Sequence, residues 1–230
     1  MQNLMGEQRL EPGRDPKEIV RTGYDRISEV YRSADFDYEG SGYQECLAAL
    51  LPRLKPGLQA LDLGCGCGIP VSRILAGEHN LTGVDISPVQ IQRARDLVPS
   101  GVFICADITE VEFEAGKFDI IVVFFAIIHV PVAEHPALFQ KIARWLKSGG
   151  LLMFSVGHQA WTGTEPDWKG AEMYWSHADP ETYREWLNTL GFEIVWETFL
   201  PEGDGGHPVI LAEKRTADET NAPHPRRLNA

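Results

Sequence analysis

The sequence predicts an α/β protein with a doubly wound, seven-stranded mixed sheet whose last strand runs antiparallel, plus N-terminal helices and a lid insertion. Three observations carry this expectation. Short apolar runs alternate with helical patterns from Ala60 to Val156, as parallel strands joined by crossover helices require. The run from Phe118 to Phe125 is continuously apolar, which suits a strand buried on both faces. The strand-like runs 192–199 and 209–212 are joined by a segment, 201–208, too short for a crossover helix, so they must pair antiparallel.

Each element has its own signal. Between Asp15 and Tyr31, residues Ile19, Val20, Tyr24, Ile27 and Tyr31 recur at helical spacing behind the helix-starting pair Asp15-Pro16. A second helical pattern, Tyr43 to Leu54, is closed by Pro56-Gly57. The core begins at Ala60, in a strand that opens into the turn Gly64-Cys65-Gly66-Cys67-Gly68. A helix start over 70–76 follows, then a strand over 81–84 and a helix over 88–97 capped by Ser87. A short strand over 102–105 precedes the apolar 118–125 strand, and a helix over 136–146 leads through Ser148-Gly149-Gly150 into the strand 151–156. From 157 to 178 the regular pattern lapses. Gly163, Pro166 and Gly170 punctuate a stretch carrying Trp161, Trp168, Tyr174 and Trp175, which reads as a lid or binding loop. A helix over 179–190, stopped by Gly191, precedes the final strand pair. The expected organisation is a flexible segment 1–14, one domain over 15–214 and a disordered tail 215–230.

An apolar fraction of 43% and a charged fraction of 23% are those of a soluble globular chain. The net charge of -12 opposes nucleic acid and anionic membranes as partners and favours an uncharged or cationic small molecule, unless a local pocket carries the opposite sign. Four cysteines are too sparse for a disulfide scaffold and fit reduced thiols in a cytoplasmic protein. Cys65 and Cys67 lack a second ligand pair, so no metal site is expected. The N-terminal residues do not read as a signal peptide, and the longest apolar run is too short to span a bilayer.

In an open α/β sheet, ligands sit beyond the carboxyl ends of the strands, where the turn places Gly64, Gly66 and Gly68. Glycines there let a nucleoside-containing cofactor approach the backbone. Ile69 stands where the dinucleotide fingerprint requires its last glycine. Asp85, ending the next strand, is positioned either to accept hydrogen bonds from ribose hydroxyls or to cap the helix that begins after Ser87.

Asp62 with the glycine turn, Asp85, Cys105-Ala106-Asp107-Ile108, Phe118-Asp119-Ile120-Ile121 with Ile127-Ile128-His129-Val130, and Leu146-Lys147-Ser148-Gly149-Gly150 together resemble the class I S-adenosylmethionine methyltransferases of the small-molecule type, over roughly residues 19–214. Ser148 departs from the family's proline at that turn. The resemblance implies a Rossmann-like fold and S-adenosylmethionine as cofactor, leaving as S-adenosylhomocysteine. It implies cofactor contacts from Tyr24, Tyr31, Asp62, Gly64, Cys65, Gly66, Gly68, Asp85, Ile86, Asp107, Ile108 and Phe124. The two tyrosines share a helix face and serve equally to pack helix on sheet.

Methyl transfer is an in-line displacement in which orientation can be worth roughly 7–11 kcal/mol, so a general base is useful but optional. His129 is the first candidate, then His158 and His177. Phe125, Trp161, Tyr174, Trp175 and His207 are candidates for binding the acceptor, a small molecule. Histidines rather than an acidic clamp for an amine border the expected mouth, which favours an oxygen nucleophile. His79 and His135 read as solvated, on the opposite side. A non-catalytic or repurposed binder of the same cofactor and, behind it, a nicotinamide-dependent oxidoreductase are the alternatives, and a homodimer is left open as the assembly.

Overall fold

A computed structural model describes residues 10–216; residues 1–9 of the expected flexible segment and residues 217–230 of the expected tail lie outside the described residues. Strands β1 (Gln59–Leu63), β2 (Asn80–Asp85), β3 (Val102–Cys105), β4 (Phe118–Val123), β5 (Leu146–Ser155), β8 (Phe192–Glu202) and β9 (Gly205–Lys214) form one sheet in the order β3-β2-β1-β4-β5-β9-β8. The first five pair in parallel, and β9 is antiparallel to both neighbours. Helices α1 (Pro16–Tyr31), α2 (Gly42–Leu50), α3 (Val71–Leu75), α4 (Pro88–Leu97), α5 (His135–Trp145) and α6 (Pro180–Thr189) surround it. Two apolar clusters fill the two faces. One holds Leu61, Ile121, Phe139, Trp145 and Tyr183; the other holds Ala60, Ile120, Val122, Leu75 and Ile91. Alternation along β1 and β4 sends neighbouring side chains to opposite clusters, so both strands are apolar apart from Gln59, Asp62 and Asp119.

Helix starts follow the local chemistry. Asp15, Ser87 and Asp179 each accept a backbone N–H of the first turn, from Lys17, Gln90 and Thr182, with proline as the next residue.

Three expectations are corrected. Segment 157–178 is not irregular: it contains an antiparallel hairpin of β6 (Trp161–Trp168) and β7 (Ala171–His177). Pro166, which reads as a loop former, sits where the register shifts between Glu165 and Trp168, and Lys169-Gly170 make the turn with φ 53° and 99°. His135 is not solvated but fully buried, its ring nitrogens bonded to the Tyr183 hydroxyl and the Val130 carbonyl, both at 2.9 Å. His79 is buried as well. Arg14, placed by sequence in the flexible segment, pairs through both guanidinium nitrogens with Glu172 of the hairpin.

The hairpin and α1 share a cluster of Ile19, Val20, Ile27, Ala171, Met173 and Tyr174. Gly23 permits this approach: a Cβ there would stand 2.8 Å from the Glu172 carbonyl oxygen and 2.9 Å from Met173 Cε. Gly23→Val is therefore expected to cost about 1–3 kcal/mol of stability by overpacking. Urea denaturation would measure the loss, and limited proteolysis would locate the loosened hairpin.

Candidate active site

The carboxyl ends of β1, β2, β3 and β4 border a cavity of about 650 Å³, counting space open to solvent, roofed by Lys17, Val20, Tyr24 and Tyr31 of α1. Its floor is the glycine turn. A Cβ on Gly64 would meet Ala126 Cβ at 2.2 Å, so glycine here allows the β4 loop to close on the turn. Gly66, at φ 53°, has nothing within 4 Å of its would-be Cβ and leaves open space before the turn. Gly68 is corrected: its Cβ position faces Val98 and Ala94, so it serves helix packing outside the lining of this cavity.

Asp85 lines the cavity and holds the turn. Its Oδ2 accepts the Gly66 N–H and its Oδ1 the Ser87 N–H, each at 2.9 Å. Burial pushes this carboxyl up to about 6, against the opposing pull of those two bonds. Each oxygen keeps a further lone pair for a hydroxyl donor. Ile86, Ile108 and Phe124 supply apolar walls. Asp107 accepts the Thr109 N–H on Oδ1 (2.8 Å) and pairs through Oδ2 with Lys17 Nζ (2.7 Å). Lys17 also reaches Glu134 (2.6 Å), fastening α1 across the mouth.

A recess beside the turn is bordered by Asp62, Cys65, Tyr31 and Arg32. Burial pushes Asp62 up to about 7, while Ser72 Oγ donates to its Oδ2 at 2.6 Å. The Arg32 guanidinium lies over the rings of Phe36, Tyr43 and Tyr31, at 4.0, 5.1 and 5.2 Å. A carboxylate and a guanidinium on one recess suit the two charges of an α-amino acid.

A second, wider cavity of about 1260 Å³, again counting open space, meets the first along Tyr24, Tyr31, Phe125 and His129. His129 Nδ1 is 2.7 Å from the Tyr174 carbonyl oxygen, which can only accept, so Nδ1 carries the proton. Nε2 then accepts the Tyr24 hydroxyl proton at 2.9 Å. Burial pushes His129 down to about 4, with the Tyr174 bond opposing, so the imidazole is neutral near pH 7. Burial likewise holds Tyr24 well above 10, as a phenol.

Of the remaining candidates, Trp175 and His207 line the second cavity, where His207 Nε2 pairs with Glu202 (2.9 Å). Four are corrected. Trp161 and His177 face each other at the root of the hairpin, away from the turn end that reaches the cavity, and the His177 ring covers Gly157. His158 is exposed beside the β8–β9 turn, bonded to Gly206. The Tyr174 ring is buried in the cluster shared by α1 and the hairpin, leaving only its carbonyl to the site. Trp168, read from sequence as part of the lid or binding loop, lines the second cavity too, whereas Lys17, Val20, Arg32 and Tyr43 are lining residues not anticipated as such; Lys17, Val20, Tyr24 and Tyr31 share one face of α1, a signal already present in their spacing. Among the described residues no group of three or more His, Cys, Asp or Glu is placed to hold a metal, and no helix is long and apolar enough to cross a membrane.

Sheet order, antiparallel end and cavity position together define the Rossmann-like fold of class I S-adenosylmethionine-dependent methyltransferases. The fold matches the Synechocystis magnesium protoporphyrin IX methyltransferase crystallised with bound S-adenosylmethionine, at a TM-score of 0.67 and 20% identity over 90% of this chain and all of that one. Residues 60–150 match the family described as a methyltransferase domain. It is 39% identical over 114 residues to the 2-methyl-6-phytyl-1,4-hydroquinone methyltransferase of Synechocystis, covering 47% of this chain and 35% of that protein. It is 30% identical over 155 residues to a sterol 24-C-methyltransferase of Schizosaccharomyces pombe, covering 59% and 40%. The chain thus spans less than half the length of these relatives.

The residues fit S-adenosylmethionine. The space before Gly66 is one a side chain would fill, Asp85 offers two acceptor oxygens to a diol, and the Asp62–Arg32 recess suits the amino-acid end.

Proposed function

We propose that this chain transfers a methyl group from S-adenosylmethionine to the oxygen of a small molecule, and that it works in the cytoplasm. The observation that carries the reading is the shared wall of the two cavities, where Tyr24 and His129 stand between a cofactor-shaped space and a second space open to an acceptor. The four free cysteines support a reducing compartment.

When bound, S-adenosylmethionine supplies a methyl carbon on a positively charged sulfur, which departs as a neutral thioether with the bond's electron pair. The glycine turn, Asp85 and the α1 roof fix the position of that carbon, so much of the rate comes from alignment and exclusion of water. An acceptor hydroxyl in the second cavity meets Tyr24 Oη. As its oxygen gains the methyl group its proton becomes acidic, and Tyr24 takes it while passing its own phenolic proton to His129 Nε2. A weak base suffices because the acid is strong at that moment. The Tyr174 carbonyl steadies the resulting imidazolium through Nδ1–H.

Tyr24→Phe and His129→Ala are expected to lower kcat by about 100-fold, within the usual range for a general base, with a smaller change in affinity for S-adenosylhomocysteine. Label transfer from methyl-tritiated S-adenosylmethionine to a panel of small hydroxyl compounds, alongside calorimetry, measures both. Unchanged turnover in the two variants removes the proton route. Cofactor binding without transfer to any acceptor favours the non-catalytic binder, and tight NAD binding with none of either nucleoside removes the reading altogether.

A further inference from the structure

The second cavity has a chemical character that narrows the acceptor, given the methyl-transfer reading on which this step rests. Tyr31, Trp168, Trp175 and Phe125 supply ring surfaces to it. Trp168 meets Trp175 at 5.5 Å and 88°, and Tyr31 at 5.5 Å and 47°, so the rings stand as fixed walls rather than as one collapsed stack.

Phe125 is the least comfortable of them. It holds φ 52°, a left-handed conformation costly for a bulky side chain, although a glycine would occupy it freely. Its N–H is pinned by Ser155 Oγ at 2.6 Å, and its ring stands edge-on to His207 at 5.1 Å and 88°. Backbone strain retained at the boundary of two cavities indicates that the ring's position is what matters there.

A cage of aromatic rings can also attract an organic cation, but the charges nearby oppose that use. Lys169 lines the same cavity, lies over the Trp168 ring at 5.5 Å, and has no carboxylate partner among the ion pairs of the described residues, whereas Arg32, which also borders the cavity, serves the cofactor's amino-acid end. The carboxylate on this wall, Glu202, is paired with His207. A ligand cation would meet Lys169 already placed over one of the rings it needs.

We infer that the second cavity binds a planar phenol, uncharged or anionic, laid against Phe125 and the Trp168–Trp175 walls with its hydroxyl toward Tyr24, and that Phe125 determines this specificity. Flat aromatic faces match the fixed rings, and the hydroxyl meets the Tyr24–His129 pair on the shared wall.

Calorimetry on the full chain saturated with S-adenosylhomocysteine tests this with 2-naphthol, decahydro-2-naphthol and a naphthyltrimethylammonium ion. Naphthol is expected to bind at least tenfold more tightly than either of the others, although the saturated alcohol is the more hydrophobic. Phe125→Gly and Phe125→Ala should each weaken naphthol at least tenfold, more than they weaken S-adenosylhomocysteine. The glycine variant should melt above the alanine one, because only glycine relieves the strain. Equal or tighter binding of the saturated alcohol or the cation, absence of naphthol binding at millimolar concentration, or undiminished naphthol affinity in both variants overturns the inference. Failure of the unaltered chain to bind S-adenosylhomocysteine would instead remove the methyl-transfer reading beneath it.

Discussion

Gly66→Val is expected to abolish detectable S-adenosylhomocysteine binding while leaving the chain folded. The would-be Cβ of Gly66 points into empty space bordering the cavity, so a side chain has room in the free protein and competes directly with a ligand. The residue is also at φ 53°, which adds a strain cost of about 1–2 kcal/mol for a non-glycine residue. Strain alone could weaken binding by loosening the turn, and Gly116→Val separates the two effects. Gly116 has φ 64° and equally open surroundings, but it sits before β4 at the opposite end of the sheet, where its N–H bonds the Arg144 carbonyl. Gly116→Val should thus lose similar stability by thermal melting and keep its affinity by calorimetry. Binding retained in Gly66→Val would mean that the space before the turn is not where the ligand lies.

The parts of this molecule readable from sequence are those specified by neighbouring residues. Asp15, Ser87 and Asp179 start their helices through bonds to N–H groups within three positions, and proline follows each. The run Phe118–Val123 announces a doubly covered strand by its own composition. Asp85 and the glycine turn were legible because strand ends and the turn between them are short-range features. The alternatives for Asp85 prove compatible: it accepts the Ser87 N–H at a helix entry and still faces the cavity. The hairpin was not legible, since Gly163, Pro166 and Gly170 punctuate it and only pairing between Trp161–Glu165 and Met173–His177 makes it regular. Burial of His135 depends on Tyr183, contributed from α6, and nothing beside His135 in sequence announces that partner. The second cavity gathers Arg32, Tyr43, Phe125, Trp168 and His207 from five separate segments, so no local pattern encodes it. Within the hairpin, alternation decides which aromatics serve the site: Trp175 lines the cavity while Tyr174, its neighbour, goes to the cluster behind.

Asp85→Ala is expected to weaken S-adenosylhomocysteine binding by about 3 kcal/mol, the upper end of the range for losing charge-assisted hydrogen bonds. The substitution removes the ribose acceptor and also frees the Gly66 and Ser87 N–H groups that the carboxylate holds. Asp85→Asn should do nearly as much damage. Both oxygens of Asp85 face N–H donors, so an amide must turn its own NH₂ toward one of them. The same geometry fixes a pH dependence. Asp85 titrates near 6 in the free chain against an ordinary 3.8, so it favours folding most when protonated, and that stability is lost as pH rises from about 4 through 6. Ribose hydroxyls donate best to the ionised carboxylate, so a ligand favours the form that the free fold disfavours. Affinity should therefore fall as pH drops below 6, by at most tenfold per unit for one proton, and the melting-temperature gain on adding S-adenosylhomocysteine should grow from pH 5 to pH 8. Asp62, held near 7 by burial, should extend the slope upward if it receives the ligand's ammonium, whereas His129, near 4, contributes nothing to it above pH 5. Asp85→Asn has no proton to lose, so its affinity should fall less steeply below 6 than that of the unaltered chain, keeping only the slope that Asp62 supplies. A slope below 6 as steep in Asp85→Asn as in the unaltered chain would assign the proton to another group and leave Asp85 without its place at the sugar.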